Sequence, residues 1–257
     1  MLAVLLVLSV APVVAQTNQQ PPAQQSTPGA DTDPTEPVVF SLREEYYNPS
    51  GDLWTNVFIL RKDKAVLRNK GSLSGKRGFL TRFDLPFVVS HAGGNTSGGL
   101  GDLYGQVLWV PHLTRKFGFA AGTGLVLPSA TDRKLGAGKW QVVPTAAPIW
   151  FIQRRGFFLL RVQDFISFAG NKNRPDIHYT ATVPTLLLRV GRKWWVSPDT
   201  EIRIDWKKGG STGFKSGLQV GRMLNPRVGI WIKPEIPWGR YPRGGWVLKF
   251  AVLWVRP

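Results

Sequence analysis

Glu201-Ile202-Arg203-Ile204-Asp205-Trp206-Lys207 alternates without exception: every even position is apolar and every odd position is charged. Successive side chains of an extended strand point to opposite faces, so this segment presents one face to an apolar medium and the other to water or counter-charge. The pattern recurs elsewhere. From Phe79 to Val89 the odd positions are Phe79, Thr81, Phe83, Leu85, Phe87 and Val89, while the even ones include Arg82 and Asp84. From Trp246 to Trp254 the even positions are Trp246, Leu248, Phe250, Val252 and Trp254, with Lys249 between them. An apolar face with aromatics at both ends matches the outward face of a membrane barrel, an apolar band between two aromatic girdles.

Carried along the chain, this reading predicts about twelve strands, from Val38–Tyr47, Leu53–Arg61 and Phe79–His91 to Arg227–Trp238 and Gly244–Arg256, most near ten residues or longer. Longer polar or Gly-rich links (His91 to Gly101, Pro128 to Gly138, Gly170 to Asp176, Lys207 to Gly213, Gly239 to Gly245) alternate with tight ones such as Gln153-Arg154-Arg155, Arg192-Lys193 and Asn225-Pro226. Long loops on one side and short turns on the other predict an all-β, antiparallel up-and-down transmembrane barrel with both ends on the turn side. Lys62 to Gly78 reads as a long link where a short turn is expected: a periplasmic extension, or a sign that the first two strands are misplaced.

The chain has 257 residues, 33 Lys and Arg against 16 Asp and Glu, a formal charge of +17, and no cysteine. Without Cys there is no disulfide framework, thiolate metal site or cysteine nucleophile. Residues 1–15 (MLAVLLVLSVAPVVA) read as a signal peptide, although no Lys or Arg precedes the apolar run. Residues 16–37 are rich in Gln, Pro, Thr and Asp and poor in large apolar side chains, and read as a disordered periplasmic leader. Residues 38–257 are expected to form the barrel, in the outer membrane.

Leu80-Thr-Arg-Phe-Asp-Leu-Pro-Phe87, Gly99-Leu-Gly-Asp-Leu-Tyr-Gly-Gln-Val-Leu-Trp109, Gly122-Thr-Gly-Leu-Val-Leu-Pro-Ser-Ala-Thr131, Leu135-Gly-Ala-Gly-Lys-Trp-Gln141 and Pro144 resemble a family of Gram-negative outer-membrane proteins labelled for the MetA pathway of phenol degradation. The similarity in pattern runs from about Phe40 to the C-terminus. It implies an outer-membrane channel or transporter for small hydrophobic or aromatic compounds, and brings no catalytic residues. The chain ends Trp254-Val-Arg-Pro257, whereas many such barrels end in an aromatic residue read by the barrel assembly machinery.

Extending the alternation places Arg43, Glu45, Arg82, Asp84, Arg161, Gln163, Arg189, Glu201, Arg203, Asp205, Lys207, Lys215, Gln219, Lys233, Glu235 and Lys249 on the polar, lumen-lining side. Cations outnumber anions in this set, which predicts either a pathway with a mild anion preference or opposite charges that pair and fill a narrow barrel. Asp164 and Arg222 fall on the apolar face, where a charge is tolerated near an interface. Gly118, Ala120, Gly122 and Gly124 share one face, leaving space in the lumen or permitting curvature. Pro86, Pro111, Pro144, Pro148, Pro184, Pro234 and Pro237 each remove a ladder donor, and interrupted pairing at Pro144 and Pro148 suggests a lateral route through the wall.

The histidines are His91, His112 and His178, and there is no Gly-x-Ser-x-Gly elbow, His-x-x-x-His pair or acidic calcium loop, so neither an enzyme nor a cofactor or metal site is expected. The basic residues are dispersed through strands and turns, which points away from nucleic acid and toward outer-membrane lipid and lipopolysaccharide as partners, besides the solute. A structural or lipid-binding barrel with a filled lumen is the alternative, and the oligomeric state is left open.

Overall fold

The computed structural model describes residues 38–50, 52–70, 74–153, 155–242 and 245–255; the expected signal peptide and leader lie outside them. The elements are β1 (Val38–Ser50), β2 (Leu53–Lys70), β3 (Ser74–Ala92), β4 (Asn95–Leu100), β5 (Leu103–Leu113), β6 (Phe117–Leu127), β7 (Lys139–Ile152), β8 (Gly156–Gly170), β9 (His178–Val190), β10 (Trp194–Asp205), β11 (Ser211–Met223), β12 (Val228–Gly239) and β13 (Trp246–Val255). Sequence neighbours pair antiparallel, except that β4 and β5 both pair with β3, and β1 closes the sheet on β13, with Phe40 opposite Trp254 and Asn48 opposite Trp246. Closure removes the sheet edge, the one place where a barrel would leave backbone donors unpaired in lipid.

Thirteen segments make twelve staves. β4 pairs with β3 over Phe87–Ala92 and β5 pairs with β3 over Lys76–Asp84, so β4 and β5 form one strand broken at Gly101-Asp102. There the Gly101 N–H donates to the Pro86 carbonyl at 2.9 Å.

Lys62–Gly78 is not a link. β2 and β3 remain paired through it, Asp63 opposite Arg82 and Arg68 opposite Arg77, as a hairpin projecting past the start of β1. The polar residues of this stretch conceal two strands because its outer face is already beyond the apolar band, so alternation ceases while the ladder continues. Trp206-Lys207-Lys208 is a 3-10 turn, so Lys207 lies outside β10.

The exterior is apolar. Phe58, Phe83, Phe87, Val107, Trp109, Ile232 and Phe250 are among the large side chains left exposed along the staves. Two aromatic rims border this surface. On the loop side Trp54 stacks on His91 (5.6 Å) and near Tyr46, and Phe214 on Trp238 (4.1 Å). On the turn side Phe40 meets Trp254, and Phe117, Trp150 and Phe158 form a chain of rings. So large a wrapped apolar surface suits a bilayer rather than water. Asp164, on this face, accepts hydrogen bonds from Thr180 (2.9 Å) near the loop rim, and Arg222 lies 5.0 Å over the Trp194 ring at the turn rim.

Inside, rings lie over glycines. Trp195 is the cross-strand partner of Gly221, and a Cβ there would stand 2.1 Å from the indole; a Cβ on Gly124 would stand 2.6 Å from the Tyr104 hydroxyl. Glycine on the inward face of β6 therefore admits a ring rather than leaving a void. At Pro144 and Pro148 the β7–β8 ladder loses bridges, yet Val142 opposite Ile166 and Ile149 opposite Leu159 keep one register, so the wall is not displaced.

Replacing Gly221 with Val should force Trp195 from its seat and destabilise the barrel by about 1–3 kcal/mol, as overpacked cores do. Urea unfolding of the refolded protein followed by tryptophan emission measures this; an unchanged midpoint would mean that the ring has another place to go.

Candidate functional site

The lumen has three tiers. A polar belt occupies the middle, built from the inward positions of β1, β2, β3, β8 and β10 to β13, because those strands place charges where their outward neighbours are apolar. Toward the turns the belt is bordered by Ile149, Phe157, Leu159 and Leu187, and by Trp231, Ala251 and Leu253, with Trp195 touching both groups. Toward the loops it is bordered by Tyr104, Val126, Val143, Phe165, Tyr179 and Ala181 on one side, and by Tyr47, Val57, Ile59, Val88 and Val247 on the other.

The belt is held by ion pairs across strands. Arg61 grips Asp84 with two hydrogen bonds, both 2.7 Å, with both side chains buried. Lys233 bridges Asp199 (2.6 Å) and Glu235 (2.8 Å); Lys215 bridges Glu201 (3.2 Å) and Glu235 (3.4 Å); Lys249 reaches Glu235 (3.1 Å) and Glu45 (3.9 Å). Glu45 also takes hydrogen bonds from Arg43 (3.1 Å) and Tyr47 (2.5 Å). Arg203 lies 3.4 Å over the Tyr179 ring and Arg43 5.3 Å from that of Trp231. Gln163 donates to Tyr104 and Thr145, extending the belt without charge to the β5–β8 side. Such desolvated charges are tolerated only with partners in place.

Among the described residues eight buried cations face six buried anions, a mild positive excess. Of the positions expected to line the lumen, Arg43, Glu45, Asp84, Arg161, Gln163, Glu201, Arg203, Lys215, Gln219, Lys233, Glu235 and Lys249 are buried in it. Arg82 is half-buried near the turn end, tied to Asp63 at 2.7 Å, and Asp205 is half-buried at the loop-side mouth. Arg189 is exposed at the turn rim, and Lys207 is exposed on its 3-10 turn, 3.9 Å from Asp176. Sequence reasoning missed Arg61 and Asp199. Asp199 shares the parity of Glu201 and would have emerged from extending that alternation two residues upstream; Arg61 follows Val57 and Ile59 on an otherwise apolar face and carries no such signal.

A further element lies over the loop-side mouth. The β6–β7 loop, 128–138, turns inward and sets Leu135, 1% exposed, among Tyr47, Val57, Ile59, Val88 and Val247 of β1, β2, β3 and β13. It is pinned at the break between β4 and β5. Asp102 accepts the Ala130 N–H (3.3 Å) and the Ala137 N–H (2.5 Å), the Thr131 N–H donates to Leu100 (3.0 Å), and Ser129 bridges Gly101 and Leu103. The close approach needs small residues: a Cβ on Gly99 would stand 2.1 Å from the Thr131 hydroxyl and one on Gly136 2.4 Å from Asp102. The two Gly-x-Gly clusters at 99–101 and 136–138 thus meet as lock and latch. Arg174 of the next loop donates to the Arg133 carbonyl, and Lys139 holds Asp176 at 2.8 Å, which keeps the Asp176 carboxyl below the usual carboxylate range.

The fold is similar to those of solved outer-membrane barrels. The COG4313 outer membrane channel from Pseudomonas putida F1 aligns at a TM-score of 0.67 and 14% identity, over 90% of this chain and 100% of that one. The NanC porin aligns at 0.59 and 9% identity over 84% of this chain and 98% of that one, and the KdgM porin at 0.55 and 7% over 85% and 99%. At these identities the likeness shows the fold alone. No family model and no curated protein matches the sequence.

Removing one member of the Arg61–Asp84 pair, as Arg61→Ala or Asp84→Ala, should cost about 3–5 kcal/mol by stranding a buried charge, whereas Arg61→Leu with Asp84→Leu should come close to neutral. Equilibrium unfolding of the three variants decides; additive single effects would mean that the pair is not coupled.

Proposed function

We propose that this protein is an outer-membrane channel or transporter that passes small hydrophobic or aromatic compounds, with the β6–β7 loop as its gate. The observation that carries the reading is the lumen itself: apolar tiers border a paired charge belt on both sides, and the loop that covers the mouth is pinned at the β4–β5 break, where Asp102 takes two of its N–H groups. Apolar tiers suit a solute that sheds its water easily, while the cationic excess in the belt favours aromatic acids over cations. Support for the aromatic class comes from the resemblance to the phenol-degradation family, and support for a channel from the barrel neighbours, which include channels and porins. A lateral route toward the bilayer is the second part of the proposal; it rests on the bridges missing at Pro144 and Pro148, although the strands there stay in register. Outer-membrane lipid, lipopolysaccharide and the barrel assembly machinery are the remaining partners of this reading.

A filled barrel with a structural or lipid-binding role is the competing reading, favoured by the ion pairs that already satisfy the belt. Conductance of the refolded chain in a planar bilayer separates the two, with heat-modifiable gel mobility as the folding control. The native protein should give small steps with a weak anion preference, and Asp102→Ala, which frees the loop, should raise the open time on the order of tenfold, as expected for loss of charge-assisted hydrogen bonds. If the folded barrel is silent in both forms, the filled-lumen reading stands instead. Pro144→Val with Pro148→Val should slow entry of an aromatic acid into liposomes while leaving conductance unchanged; uptake at the native rate would remove the lateral route.

A further inference from the structure

The two rims of the barrel differ in charge. Among the described residues, the turn-side rim carries one acid, Asp63, and that acid is bound to Arg82. The loop-side rim mixes signs, with Asp132 beside Lys134 and Asp176 beside Lys139 and Lys207. Exposed cations run along the turn side, on the β2–β3 hairpin (Lys62, Lys64, Arg68, Lys76, Arg77), at the β5–β6 turn (Arg115, Lys116) and over three neighbouring turns that form an arc free of acids among the described residues: Arg155 between β7 and β8, Arg192 and Lys193 between β9 and β10, and Arg222 and Arg227 at the β11–β12 turn. The backbone ties these turns together, since the Arg189 N–H donates to the Arg155 carbonyl (2.7 Å) and the Met223 N–H to the Lys193 carbonyl (2.8 Å).

Where this arc lies decides its chemistry. Trp194 and Arg222 are cross-strand partners on the outward face, and the guanidinium lies 5.0 Å over the indole. A cation on the apolar face, seated on an aromatic at the rim, is at the depth of lipid headgroups, where it meets phosphate and the ring meets the upper acyl chain.

We propose that the turn-side arc, centred on Arg222 and Trp194 with Arg155, Arg192 and Lys193 beside them, binds the phosphodiester headgroups of anionic phospholipid in the leaflet that surrounds the turns. The inference rests on the outer-membrane reading above and adds to it a leaflet and a headgroup. With both termini on the turn side, that leaflet is the periplasmic one, so the ligand is phosphatidylglycerol or cardiolipin rather than lipopolysaccharide. Several cations with no unpaired carboxylate beside them among the described residues favour a multiply charged surface over a single small anion.

The experiment is lipid retention. The refolded full chain is inserted into phosphatidylcholine vesicles containing phosphatidylglycerol, extracted into mild detergent, and its bound lipid quantified by mass spectrometry. The native protein should retain phosphatidylglycerol over phosphatidylcholine, with retention falling as salt rises. An arc variant (Arg155→Gln, Arg192→Gln, Lys193→Gln, Arg222→Gln) should lose it on the order of tenfold or more, and a loop-side variant (Lys134→Gln, Lys172→Gln, Lys208→Gln, Arg240→Gln) should keep it. Equal retention by the two variants, loss tracking the loop-side set, or displacement by millimolar inorganic phosphate would each overturn the assignment. A several-fold rise in retention in Asp31→Asn, Asp33→Asn, Glu36→Gln would make the acidic segment before β1 the occupant and overturn it too. Insertion with heat-modifiable mobility but no headgroup preference overturns the arc alone; a chain that stays soluble without detergent overturns the membrane reading with it.

Discussion

Closure of β1 on β13 is the constraint on which everything else here depends. An open sheet leaves a row of N–H and C=O groups that lipid cannot satisfy, at several kcal/mol each, so the staves must meet. Phe40 opposite Trp254 and Tyr46 opposite Leu248 bring the first and last strands into register, and that register sets which residues point inward on every other stave. A slip of one residue would send Arg43 and Glu45 to the lipid and Leu42 and Glu44 to the lumen.

Once the staves are closed, burying charge is the next problem. The polar belt solves it by distributing acids and bases on adjacent strands: Glu235 of β12 lies between Lys215 of β11 and Lys249 of β13, and Asp199 of β10 reaches Lys233. Such pairs contribute little net stability and instead penalise wrong registers, because a shifted strand would face like charges. The apolar tiers above and below pack as an ordinary core does, and glycine supplies the room for Trp195 and Tyr104.

The seating of the β6–β7 loop follows from a defect in the sheet. One strand is broken at Gly101-Asp102, which frees Asp102 from the ladder and points its carboxylate at two N–H groups of the β6–β7 loop. A regular strand would have no acceptor to offer there. The same break lets Leu135 reach across the mouth to side chains of β1 and β2, so a local irregularity seats a loop against strands far away in sequence.

The strand pattern, the direction in which most of the strand charges face and the alternation of loops and turns were legible in the sequence, because side-chain parity is a local property with a period of two. In Glu201 to Asp205 the reading holds residue by residue. It failed where the apolar band ends: Lys62 to Gly78 stays paired although its outer face is polar, and Lys207 leaves the strand at a 3-10 turn. Partnership was not legible at all. That Arg61 binds Asp84, that Glu235 serves three lysines, and that the glycines at 99–101 and 136–138 meet at Asp102 depend on which strands are neighbours and at what height. Parity tells each residue which way to face; only the closed register decides what it faces, because contacts between strands far apart in sequence are set by the geometry of the whole barrel.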